Sequence, residues 1–203
     1  MHLEPFTWER KKAKVRGAII RAAVDLFERQ GFEQTTVDEI AATAEISTRT
    51  FFRYFPTKEA VMFPYHAAYV EQFRGLLGEQ PGPPLEAVRG ALEAMAAVYT
   101  AARDEHLRHQ RIISSSPALV AHSVAYDAEW EAAIADAWRN GHRRGARAER
   151  QARLIAGIVM GAINAVMATW YEGGCREDLA TLGKSALNLL ERGIGNGITV
   201  VPR

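Results

Sequence analysis

Apolar residues recur along this chain at intervals of three and four, and clusters of Gly, Pro and Ser cut the pattern into helical lengths. Ile19, Ala22, Ala23, Leu26 and Phe27 share one face of a helix predicted from about Glu9 to Gln30, and Gly31 suits its C-terminal cap. Thr36-Val-Asp-Glu39 has the form of a capping box and opens a short helix to about Ala44, with Val37, Ile40, Ala41 and Ala44 facing inward. Ser47 caps a third helix, Thr48–Phe55, which Pro56 stops because the residue before a proline is pushed out of the helical region. Thr57 then caps a longer helix expected to begin at Lys58. Beyond QPGPP (80–84), the clearest linker, helices are predicted near 84–102, 104–114, 117–141, 149–172 and 177–194. SSSP at 114–117 supplies a serine cap with proline at the first helical position. The fold class is all-α: a three-helix N-terminal region over residues 1–62 and a larger helical region over 63–203.

The third helix is the most informative. At 100° per residue Phe51 and Phe55 share the face that earlier helices can cover; Arg49, Thr50, Arg53 and Tyr54 lie opposite, with Phe52 on the flank. A helix of about two turns is unstable alone and needs such anchors. Two short helices joined by a tight turn, the second exposing Arg, Thr and Tyr, have the geometry of a helix-turn-helix whose second helix enters the major groove. Charge sharpens this. The formal net charge is only +1, with 48% apolar and 24% charged residues, but Arg10–Ala23 carries six Lys or Arg and no acid. Ile46–Lys58 carries three more, again without an acid. Lys58, at an expected helix N-terminus, suits a phosphate.

These residues also carry a resemblance. The run from AAVDLFERQGFEQTTVDEIAATAEIS through TRTFFRYFPTKEAV (22–61) is similar to the DNA-binding domain of TetR-family transcriptional regulators. The resemblance implies an all-helical homodimeric repressor, with a helix-turn-helix DNA-binding domain over 1–62 and a ligand-binding and dimerisation domain over 63–203, that binds a palindromic operator and is released by a small molecule. It places Thr36 and Lys58 at phosphate contacts, and Ser47, Thr48, Arg49, Thr50, Arg53 and Tyr54 at the cap and on the recognition helix. Phe52 stands where the family usually has a tyrosine whose hydroxyl meets a phosphate. Glu45 stands where the turn usually has a glycine, which calls for an unusual backbone there.

The larger half resembles a C-terminal domain described as acyl-CoA-like ligand-binding, on PPLEAVRGAL (83–92), HLRHQRIISSSPAL (106–119) and AYDAEWEAAIADA (125–137). That resemblance implies an amphipathic, fatty-acyl-CoA-like effector. Trp130, Ile134 and Trp138 fall on one helical face, and Tyr99, Met160, Asn164 and Met167 come from neighbouring helices; together they either line a pocket or fill a core. Asn164, alone in an apolar run, serves a ligand, a neighbouring helix or a dimer mate. The basic connection containing Arg139, Arg143, Arg144, Arg147, Arg150 and Arg153 reads as a solvated loop, with a phosphate-bearing headgroup as the alternative. Gly157 and Gly161, spaced to let helices approach closely, and Leu179, Leu182, Ala186, Leu189 and Leu190 of the last helix are the expected dimer interface.

Other chemistry is weakly supported. His106 and His109 beside Glu105 have no further ligand with metal-site spacing and read as a surface pair. The sequence has no Walker loop, dinucleotide fingerprint, nucleophile elbow or paired CxxC, so neither an enzyme nor a cofactor is expected. The single cysteine, Cys175, fits a reducing cytoplasm, and the first residues have no secretory pattern. Ile155–Tyr171, seventeen uncharged residues, is short for a membrane span and is expected to be buried on most sides within the protein.

Overall fold

The computed structural model describes residues 5–79, 82–140 and 145–195, and among them every regular element is helical. The helices are α1 (Pro5–Gln30), α2 (Val37–Thr43), α3 (Thr48–Tyr54), α4 (His66–Glu79), α5 (Pro84–Ala101), α6 (Arg103–Ser115), α7 (Pro117–Asn140), α8 (Ala146–Glu172) and α9 (Leu179–Gly195). A 3₁₀ turn, Glu59–Met62, lies between α3 and α4. The long helix expected from Lys58 is therefore broken. Pro64 is the cause: it forces Phe63 out of the helical region, to φ −122° and ψ 48°, and α4 starts only at His66.

The chain divides into two compact units. One takes the residues up to His66 together with Arg108–Ser123; the other takes Ala67–Leu107 and the residues from Val124 on. A division at 62/63 leaves 108–123 with the larger half, whereas the fold groups that corner of α6 and α7 with the N-terminal helices.

The first unit is built around Ile19, Ala23, Phe27, Ile40, Phe51 and Phe55, all nearly or wholly buried, and Ile112 and Leu119 join the same core. Polar ties hold the corner in place. Arg108 donates to Glu28 Oε2 at 2.7 Å and to Asp25 Oδ1 at 3.3 Å, and the Ser116 hydroxyl donates to Glu33 Oε1 at 2.5 Å. The hydrogen bond from Arg108 is the main reason the Glu28 carboxyl lies below the usual carboxylate range.

In the second unit α9 packs on both α5 and α8. One core collects Phe73, Val88, Met95, Ile134, Ala156 and Val159; a smaller one surrounds Trp170 with Ala96, Cys175 and Leu179. The α8–α9 turn is closed by Cys175 at φ 57°, whose N–H bonds the Trp170 carbonyl at 2.8 Å, while Trp170 Nε1 donates to the Glu177 carbonyl at 3.0 Å. Asp178 caps α9 through the Thr181 N–H at 2.7 Å, which fixes the helix start at Leu179 rather than 177.

The expectation that α8 is buried on most sides fails. By length and composition α8 could cross a membrane, yet only 22% of its most apolar stretch is buried, and Leu154 and Ile158 are 69% and 47% exposed. Its apolar residues run around more than one face, and one chain covers only one of them.

Candidate nucleic-acid interface and ligand cavity

The turn before α3 is shaped by local chemistry. Thr36 and Glu39 complete the capping box: Thr36 N–H donates to Glu39 Oε2 at 2.7 Å, and Glu39 N–H to Thr36 Oγ1 at 3.2 Å. The Thr36 N–H, and then the Thr36 hydroxyl donating to the same oxygen at 2.9 Å, hold the exposed Glu39 carboxyl below its ordinary range. Glu45 then adopts the left-handed conformation at φ 55°, in the place where glycine would be unstrained. Ser47 Oγ accepts the Thr50 N–H at 3.1 Å, and Thr48 Oγ1 donates to Asp38 Oδ1 at 2.6 Å, tying α3 to α2. Phe51 and Phe55 are 0% and 2% exposed, so the register of α3 is fixed from beneath.

What remains on the outer face is Arg49, Phe52 and Arg53, all exposed, with Thr50 and Tyr54 half-buried beside them. Phe52 stands edge-on to Phe51 at 5.4 Å, and the Arg53 guanidinium lies 5.5 Å from the Tyr54 ring centre. Arg49 makes no ion pair among the described residues. This face is a donor-rich strip on a short helix, suited to base edges and phosphates.

Lys58 is placed differently from the expectation. Its ammonium donates to the Phe32 and Thr35 carbonyls at 2.7 and 2.8 Å and sits 4.1 Å from the Phe32 ring centre. Two of its three N–H donors thus close the loop before α2, and the turn that follows is 3₁₀, not the start of a long helix. Thr36 and Thr48 are likewise engaged within the module. Arg16 also works internally, bonding the Pro64 carbonyl and lying 4.6 Å from the centre of the Phe55 ring.

In the second unit a cavity of about 170 Å³ opens among α5, α7, α8 and α9. Tyr99, Trp130, Met160, Asn164 and Met167 line it; Ile134 and Trp138 do not. Ile134 is wholly buried in the neighbouring core and Trp138 packs against it, because two turns along α7 carry the helix face past the opening. Asn164 is exposed at the rim rather than buried, donating to Asp127 Oδ2 at 2.9 Å. Tyr99 stacks on His106 at 4.4 Å with 10° between rings, and burial pushes its hydroxyl pKa upward. Asp127 was missed in the sequence, although it lies three residues before Trp130 and so shares its helix face.

The expected interface residues divide. Gly157, Gly161 and Leu189 are exposed, Leu189 at 72%. Leu179 and Ala186 line the cavity, Leu182 packs on the Trp170 core, and Leu190 packs on the larger one, so these four face inward. The cause is the wide apolar stripe of α9, most of which is spent on α5 and α8.

His106 and His109 are not a surface pair. Both are half-buried, and burial is the main reason that the His109 pKa lies below the ordinary 6.5. Arg139 and Arg153 both engage Glu149, at 2.8 and 3.3 Å; Arg143 and Arg144 lie outside the described residues.

Comparison with known proteins matches the family model for "Bacterial regulatory proteins, tetR family" to residues 19–63 and the "MftR C-terminal domain" to residues 82–195. The regulator TcmR of Streptomyces glaucescens is 34% identical over 135 residues, 63% of this chain and 60% of that protein. The putative mycofactocin biosynthesis regulator MftR of Mycobacterium tuberculosis is 31% identical over 128 residues, 62% of this chain and 65% of that protein. The chain therefore spans somewhat under two thirds of the length of these curated relatives. Among solved structures, Thermus thermophilus FadR, a TetR-family repressor in complex with lauroyl-CoA, superposes with TM-score 0.56 at 28% identity, covering 93% of this chain and 99% of that one. A helix-turn-helix held by capped short helices, joined to a helical domain whose model spans more than half of the 203 residues, places the chain in the TetR family of bacterial regulatory proteins.

Proposed function

We propose that this protein is a ligand-responsive transcriptional repressor that binds a palindromic operator as a homodimer and is not an enzyme. The observation that carries the reading is α3: two buried phenylalanines fix its register, and its outer face, free of acids, offers Arg49 and Arg53. The DNA-binding role belongs to the N-terminal module, about residues 1–62, with Arg49, Thr50, Phe52, Arg53 and Tyr54 at the groove. Ser47, Thr36, Thr48 and Lys58 serve the interface by positioning that helix, through their bonds within the module. The remainder of the chain senses the effector and dimerises, and the protein works in the cytoplasm beside its DNA.

A second copy is the natural cover for α8. Leu154, Gly157, Ile158 and Gly161, with Leu189 of α9, form an exposed apolar face within a folded unit. A Cβ added at Gly161 meets nothing within 4 Å, so Gly161→Leu leaves the chain's own packing intact and probes assembly alone. It should shift the protein toward monomer in light scattering, and a full dimer would remove Gly161 from the interface.

The effector is a small amphipathic molecule entering the cavity beside Tyr99 and Trp130. The lauroyl-CoA held by Thermus thermophilus FadR supports an acyl thioester as one form of this reading. Binding there favours a different spacing of the recognition helices and lowers operator affinity by linkage. Duplexes selected from a random pool should bind with affinity falling steeply with salt, and Arg49→Ala or Arg53→Ala should cost about 1–3 kcal/mol on the selected site. Unchanged affinity in both variants would contradict the reading.

A further inference from the structure

We propose that the cavity of the second unit receives a compact aromatic amine, its ring among Met95, Met160 and Met167 and its ammonium at the Asp127 carboxylate. The proposal rests on the reading that this unit senses the effector, and it chooses a ligand class within it.

Size comes first. A dry apolar cavity of about 150 Å³ holds one benzene ring. The 170 Å³ available here takes a single ring with a short substituent, whereas a twelve-carbon chain needs considerably more.

The walls come second. Three of the protein's five methionines line this one cavity, together with Trp130 and Tyr99. Thioether sulfur makes favourable contacts at aromatic ring edges, and unbranched Met adapts to an irregular planar guest. Indole and phenol faces in turn attract a cation.

The rim decides the charge. Lys184 pairs with Glu93 at 3.5 Å, and Arg89 pairs with Glu191 at 3.2 Å and Glu86 at 3.5 Å. Asp127 accepts only the Asn164 amide, and no cation lies within ion-pair distance of it among the described residues. The lining carries two bases and two acids, and both bases are already paired with carboxylates, so neither is free for a polyphosphate headgroup, whereas Asp127 is left to receive an ammonium.

The test is isothermal titration of the full-length protein with 2-phenylethylamine, 3-phenylpropanoate and lauroyl-CoA. The amine should bind about tenfold or more tightly than the carboxylate of matching shape. Asp127→Asn should lower amine affinity about fivefold or more without moving the melting temperature, since the residue sits at the rim. Equal or tighter binding of the carboxylate or the acyl-CoA, or an Asp127→Asn variant that binds the amine as before, overturns the proposal. Operator affinity is followed in parallel. Amine binding that leaves operator affinity unchanged keeps the ligand class and defeats the effector reading. Operator release by lauroyl-CoA, with no amine binding, defeats the ligand class and keeps the regulator.

Discussion

The recognition helix and the cavity are built on opposite principles. Across its seven residues and the caps that flank them, α3 has a serine cap, a hydroxyl tie to α2, two buried rings beneath and a proline behind. The cavity walls are methionine, aliphatic and aromatic side chains with charged groups at the rim, around a void of about 170 Å³. Protein interiors normally leave few voids larger than a water. Reading bases demands one register, so side-chain freedom there is removed. Admitting a small molecule demands room, and packing energy is given up for it.

The largest effect should expose this contrast. Phe51→Ala removes a wholly buried ring and should cost the first unit about 3–5 kcal/mol, abolishing operator binding. Met167→Ala, which faces space already open, should cost about 1 kcal/mol in denaturant titration. Equal costs would break the comparison.

Lys58 sharpens it next. Removing an ammonium from two carbonyls by Lys58→Met should destabilise the first unit by about 1–3 kcal/mol, with little change in the salt slope of DNA binding. A slope reduced by about one at unchanged stability would return Lys58 to the phosphate backbone.

Glu45→Gly relieves the left-handed strain in the turn and should stabilise that unit by about 0.5–1 kcal/mol; a loss of stability would show that Glu45 is held there by contacts of its side chain.

The smallest effect is acid sensitivity at His109. Burial lowers its pKa most, the Arg108 charge lowers it further, and Glu28 opposes them. The unfolded chain then binds the proton more readily, so stability present above about pH 6.5 is lost as pH falls from there through the folded value. His109→Gln should flatten the melting profile across that window, and an unaltered profile would assign the dependence elsewhere.

Much of the reading unit was legible because its signals are local. Thr36 with Glu39, Ser47 before Thr48 and Pro56 after Phe55 each act within a few residues, and the face bearing Phe51 and Phe55 follows from helical spacing alone. Long-range choices were not legible. Nothing near Lys58 announces that its ammonium reaches back to the carbonyls of Phe32 and Thr35, and Pro64, six residues after Lys58, ends the expected helix. The cavity shows the same division. Tyr99, Trp130, Met160 and Met167 were visible as helix-face residues, but whether a face meets a core or a void depends on the neighbouring helices. Ile134 went to the core for that reason, and Leu179 and Ala186 turned inward instead of towards a partner.

The central claim is that two α3 helices read DNA together, one helical turn apart. Fluorescence anisotropy on the selected operator, with about 5 base pairs inserted between its half-sites, tests it directly, because that insertion moves one half-site to the opposite face of the duplex. Affinity should fall to that of a single half-site, and an insertion of about 10 base pairs should recover part of it. Equal affinity for all three spacings would contradict the account.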